Sequence, residues 1–261
     1  MSEKPFYENP FETESAKVTA EVARLQAEHG KRIMQSPVFR EGVVGMIRRL
    51  LEMNRLLSES FLTDNTSLLD QCERLATEVH QEENALTGYI LHCGARGESC
   101  EGVIRLPYRL ERIGDMLEDV LHCCRIKFDR DIPFSLKAKE EVGELLLQLE
   151  HMMDSLRDAF VSQDRDPLEE MIGKGKRLAR VLEDFKSAHW MRVEKGTTAP
   201  EASSLFREIL DSVKWTNEYL EKLCTSLRET DEMSQDQPGV QRNEVHPAKT
   251  EGDQPEARSL V

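Results

Sequence analysis

Residues from about 40 to 228 read twice, three long amphipathic patterns being followed by three more that resemble them in order. This confines the chain to a duplicated three-helix unit. The segment LLSESFLTDNTSLLDQ (56–71) parallels SLRDAFVSQDRDPLEE (155–170), so that Leu57 matches Leu156 and Phe61 matches Phe160 at an offset of 99. Arg74-Leu75-Ala76 matches Arg177-Leu178-Ala179 at an offset of 103, and Leu110, Ile113 and Asp115 match Phe206, Ile209 and Asp211 at 96. One such likeness can arise from shared helical composition. Three in colinear order, with little drift, indicate duplication.

Aromatic residues are 6% of the chain, Leu, Glu, Arg and Met are plentiful, and β-branched runs are scarce, so the expected fold is all-α. In the first unit helices are expected near 42–62, 67–91 and 100–127, with Val43, Ile47, Leu50, Leu57 and Phe61 and then Leu106, Leu110, Ile113, Leu117 and Val120 at core spacing. Pro107 should kink the third helix or delay its start. The second unit places helices near 135–161, 166–193 and 200–228, separated by Asp-Ile-Pro, Gln-Asp-Arg-Asp-Pro and Gly-Thr-Thr-Ala-Pro. Long helices with short connections pack antiparallel, giving two three-helix bundles end to end or side by side. The expected division is an arm and short helix over 1–37, repeat one over 38–132, repeat two over 133–228, and a tail over 229–261. In the arm, Phe6, Tyr7 and Phe11 lie on no helical face, and Val18, Val22 and Leu25 form one side of an amphipathic segment. The tail holds eight acids against three bases and no aromatic residue, so it is expected to stay disordered.

The chain carries 49 acidic and 35 basic residues, a formal net charge of −14, which argues against a nucleic-acid footprint. No run approaches the roughly 20 apolar residues of a membrane span, and MSEKPFYENPFETES lacks the order of a signal peptide, so a cytoplasmic protein, peripheral to a membrane at most, is expected. Cys72, Cys93, Cys100, Cys123, Cys124 and Cys224 have no C-x-x-C spacing and read as reduced thiols, mostly buried. His92-Cys93 with Cys100, and His122-Cys123-Cys124, fall at opposite ends of antiparallel helices, each short of a four-ligand zinc site. His189, Trp190 and Trp215 read as core or rim packing. Gly173-Lys174-Gly175-Lys176 lacks the phosphate-loop spacing and a preceding strand. No nucleophile–base arrangement suits a helical scaffold, so no enzymatic activity is expected.

The chemistry concentrates on the third pattern. Glu111 and Asp115 stand four apart in LERIGD, and Glu118 with His122 continues the stripe. On the second pattern Glu78 and Glu82 are also four apart, with His80 and Glu83 beside them. On antiparallel neighbours the two pairs can converge into an oxygen-rich site for a hard or borderline cation. The alternative is that they are solvated decoration of exposed helix faces. No Glu-x-x-His motif occurs at these pairs, so a di-iron oxidase is unsupported.

RLERIGDMLEDV (109–120), preceded by a helix with acidic pairs and duplicated downstream, resembles the PhoU family of phosphate-transport regulators and transporter accessory proteins. The resemblance covers about 40 to 228, with LERIGD as its specific part. It implies two three-helix bundles, a non-enzymatic role in phosphate uptake or signalling, a phosphate transporter or sensor kinase as partner, and a homodimer. It also implies that acidic pairs on neighbouring helices hold multinuclear iron or another divalent or trivalent metal, here at Glu111 and Asp115 with Glu78 and Glu82. The competing reading is a metal-binding or structural helical adaptor unrelated to phosphate.

The second unit departs from this pattern. Arg207 stands for Glu111, and the 103 offset puts Val181 and Phe185 for Glu78 and Glu82, so a second cluster is not expected. The charge also reverses: residues 69–91 hold five acids and one base, residues 171–195 seven bases and three acids. Lys174, Lys176, Arg177 and Arg180 are candidates for an anion, an acidic partner or an anionic membrane face, the alternative being that they neutralise adjacent acidic helices.

Overall fold

A computed structural model describes residues 32–95, 100, 103–162 and 166–235. The aromatic arm, most of the 18–34 segment and the chain beyond 235 lie outside these residues. Six long helices succeed one another: α1 Pro37–Thr63, α2 Leu69–Ala95, α3 Arg105–Asp129, α4 Leu136–Ser162, α5 Asp166–Glu194 and α6 Pro200–Gln235, with a 3-10 turn at Thr66–Leu68 between α1 and α2. No strand occurs among the described residues.

Local chemistry sets the boundaries. Asp64 ends α1 in the left-handed region (φ 56), and Asn65 Oδ1 accepts from the Ser67 amide at 3.2 Å to start the next turn. α3 begins at Arg105 rather than near 100, with Pro107 in its first turn, where the missing N–H leaves no intrahelical bond unmade. Gly196 (φ 68) closes α5, with the Thr197 amide bonded back to Arg192 O at 3.0 Å. At the far end α6 continues to Gln235, seven residues into the segment expected to lack structure.

α1, α2 and α3 all pack on one another, as do α4, α5 and α6, and the two bundles lie side by side through α1 on α4 and α3 on α6. Each joining helix thus meets its own repeat counterpart, the arrangement of a pseudo-twofold axis, and α2 and α5 form the outer flanks. Apolar side chains fill the interior throughout, among them Ile47, Leu50, Leu57, Val79, Leu110, Ile113 and Leu117 in repeat one and Leu145, Leu149, Leu156, Leu178, Phe206 and Ile209 in repeat two. Across the joint, the fully buried Asn54 donates to Leu146 O at 2.9 Å and Arg55 pairs with Glu150 at 2.7 Å. Asp64 ties three helix ends together by accepting from Lys127 and, at 2.6 Å, from Lys139.

Burial fixes the repeat register. Phe39, Val43, Met46, Ile47 and Leu50 correspond to the buried Ala138, Val142, Leu145, Leu146 and Leu149, and Leu69, Cys72, Ala76 and Val79 to Leu168, Met171, Gly175 and Leu178, all 99 apart. The third helix keeps 96, with Leu106, Leu110, Ile113 and Leu117 answering Ala202, Phe206, Ile209 and Val213. The 103 offset drawn from Arg74-Leu75-Ala76 is therefore a slip of four residues. Such a slip rotates a helix by only about 40°, so local identity can favour it without upsetting the apolar stripe. In the corrected register Glu78 corresponds to Arg177 and Glu82 to Val181.

Candidate functional site

The glycine of LERIGD brings the helices together. A Cβ on Gly114 would lie 3.2 Å from Val79 Cγ1 on α2 and 3.5 Å from Leu50 Cδ2 on α1, so its absence permits close approach where the polar side chains emerge. Beside this crossing, His80 of α2 lies between two acids of α3. Its Nδ1 is 3.3 Å from Glu111 Oε1, and its Nε2 is 3.0 Å from Glu118 Oε1. Asp115, one turn from Glu111, pairs with Arg112. His80, Glu111 and Asp115 each offer a ligand atom within 4.8 Å of the others, forming a half-buried set of one nitrogen and two oxygens.

The surroundings favour an added positive charge. Burial, then the neighbouring Asp115 carboxylate, raises the Glu111 carboxyl above its ordinary range against the pull of His80. Burial and Asp115 likewise raise Asp119, one turn further on. Chemically, the donor set suits a borderline divalent ion such as zinc, iron(II) or manganese. His80 Nδ1, Glu111 and Asp115 would hold it, while the Glu118 carboxylate accepts from Nε2–H and orients the ring.

Glu78 and Glu82 do not join this set. Both face α1, where Arg49 Nε donates to Glu78 Oε2 at 2.8 Å and Arg49 Nη1 lies 2.6 Å from Glu82 Oε2. The absence of a side chain at Gly45 makes room, since a Cβ there would lie 2.8 Å from Glu82 Oε1. Burial raises the Glu82 carboxyl although Arg49 opposes it. The reason is angular: His80 lies two positions after Glu78, about 200° around a helix, so the acids look to α1 and the imidazole to α3. His80 is the α2 side chain at the site, recognisable in sequence only once the facing of α2 is known.

In repeat two, the places of His80, Glu111 and Asp115 are taken by Ala179, Arg207 and Asp211. Among the described residues no second group of three metal-type ligands assembles. The basic candidates divide: Lys174 and Arg177 line a groove against α4, whereas Lys176 and Arg180 are exposed outside it. His189, 2% exposed, stacks on Phe206 at 4.6 Å beside the pair between the buried Glu141 and the half-buried Arg192, and Trp190 and Trp215 sit at the rim, 49% and 45% exposed. No disulfide joins the six cysteines, and burial pushes Cys72, Cys124 and Cys224 up to about 12.

The fold and site define a class, an all-helical tandem-bundle protein with an acidic imidazole-bearing cluster on one repeat. More narrowly, the fold is PhoU-like. It is similar to the crystal structure of the phosphate transport system regulatory protein PhoU from Streptococcus pneumoniae, with a TM-score of 0.65 and 11% identity over 74% of this chain and 93% of that one. It is equally similar to PhoU from Pseudomonas aeruginosa, with a TM-score of 0.65 and 17% identity over 74% and 95% of the two chains. No protein-family model matches the sequence, and no curated protein does. No described helix is long and apolar enough to cross a membrane.

Proposed function

We propose that the protein is a non-enzymatic regulator or accessory protein of inorganic phosphate uptake or signalling. In this reading it is a cytoplasmic homodimer that contacts a phosphate transporter or sensor kinase, and it carries a metal on repeat one. The observation that carries it is the LERIGD segment, set within a PhoU-like fold so that Glu111 and Asp115 converge with His80. The metal's role is to fix α2 against α3 at Gly114, replacing acid–acid repulsion with a shared cation. Glu78 and Glu82, engaged by Arg49, brace α1 against α2 at the side of this site.

The pairing of Asp115 with Arg112 favours a second reading, in which internal cations already balance the acids and the protein is a helical adaptor. Elemental analysis separates the two. The purified wild type should retain near-stoichiometric zinc, iron or manganese that Glu111→Ala, Asp115→Ala loses, with a parallel change in phosphate-responsive gene expression in cells. Equal, negligible metal in both proteins removes the metal, and unchanged phosphate response in a deletion strain removes the phosphate role.

A further inference from the structure

The corrected register exposes a contrast between twin grooves. Where α1 meets α2, Arg49 bridges Glu78 and Glu82 and fills the space between the helices. The corresponding positions where α4 meets α5 are Gln148, Arg177 and Val181: the bridging cation has become an amide, one acid a cation, and the other acid an aliphatic side chain. His151 likewise stands where repeat one has Glu52. Instead of an ion-pair plug there is an open groove of about 360 Å³, lined by Gln148, His151, Met152, Lys174, Arg177 and Val181.

No side chain lining this groove is acidic. Lys174 Nζ reaches across to Ser155 Oγ at 3.2 Å and pairs with the exposed Glu170 at 3.2 Å, a contact of the weak surface kind. Gln148 Nε2 donates to Glu144 Oε1 at 3.3 Å. Arg177 makes no hydrogen bond or ion pair among the described residues, and its fork lies against Gly173, where no side chain intervenes. Two cations one turn apart on α5, faced by an imidazole and an amide across the groove, form a donor-rich surface for a multiply charged oxygen anion.

We propose that this groove binds a tetrahedral phosphate dianion, either free inorganic phosphate or the phosphoryl group of a monoester, with Arg177 and Lys174 as its charged contacts. The site is independent of the metal at His80, Glu111 and Asp115, and its failure leaves that reading intact.

Calorimetric titration of the full chain with inorganic phosphate, and separately with glycerol phosphate, tests it. Heat from the first identifies the free ion as ligand, and heat from glycerol phosphate alone identifies a monoester; either supports the site. Arg177→Gln or Lys174→Gln should weaken binding about tenfold or more, whereas Lys176→Gln with Arg180→Gln should leave it within about twofold. The double substitution Gln148→Arg, Arg177→Glu rebuilds the Arg49–Glu78 half of the plug of repeat one and should abolish binding while the helical circular dichroism and melting temperature are kept. No heat with either ligand at millimolar concentration overturns the proposal, as does equal weakening by the Lys176 and Arg180 changes, which would mark diffuse surface charge rather than a site.

Discussion

At the scale of single residues, Gly114 has the sharpest consequence. Its missing methyl sets how closely α3 lies on Val79 and Leu50, so the positions of Glu111 and Asp115 relative to His80 follow from a packing contact. Gly114→Leu should lower stability by about 2 kcal/mol through overpacking, read as a shifted urea midpoint, and should reduce metal retention with every ligand residue still present. His80 is the instructive omission. Glu111 and Asp115 were legible because four-residue spacing guarantees a shared face whatever lies opposite. The α2 contribution depended on which way that helix faces, and an acid pair with the same spacing pointed to α1 instead.

At the scale of elements, helix limits were legible to within about five residues wherever proline, glycine and Asp-Asn breaks interrupt the apolar stripes, but not at the end of α6, which runs seven residues past the expected limit with no such break to mark it. The register between the second helices was not, because a slip of one turn preserves amphipathicity. The joint at Asp64 was also hidden, for it gathers side chains from three helix ends far apart in sequence. Lys127 and Lys139 hold the Asp64 carboxyl below its ordinary range, by hydrogen bonding before direct charge. A carboxyl so depressed contributes stability that is present above the unfolded value near 4 and is lost as pH falls through the folded one. Asp64→Asn keeps a residue tolerant of the left-handed conformation and removes the charge. It should lower the urea midpoint at pH 7, with the deficit against wild type shrinking as pH is taken below about 4.

At the scale of the molecule, two bundles joined through α1 on α4 and α3 on α6 should unfold as one unit. A fragment spanning 32–132 would expose the faces that α1 and α3 turn to their counterparts, which a second copy can cover. Sedimentation of that fragment should report a dimer, and a folded monomer would show that repeat one stands without its partner surface. Covalent doubling has a further result. A symmetric pair must carry the same charge on both outer flanks, but a tandem chain need not. Here α2 has a surplus of four acids whereas α5 holds six acids and six bases, so the two outer flanks differ in charge. The molecule is therefore an electric dipole, and a charged surface would turn it to present one chosen edge before any contact is made.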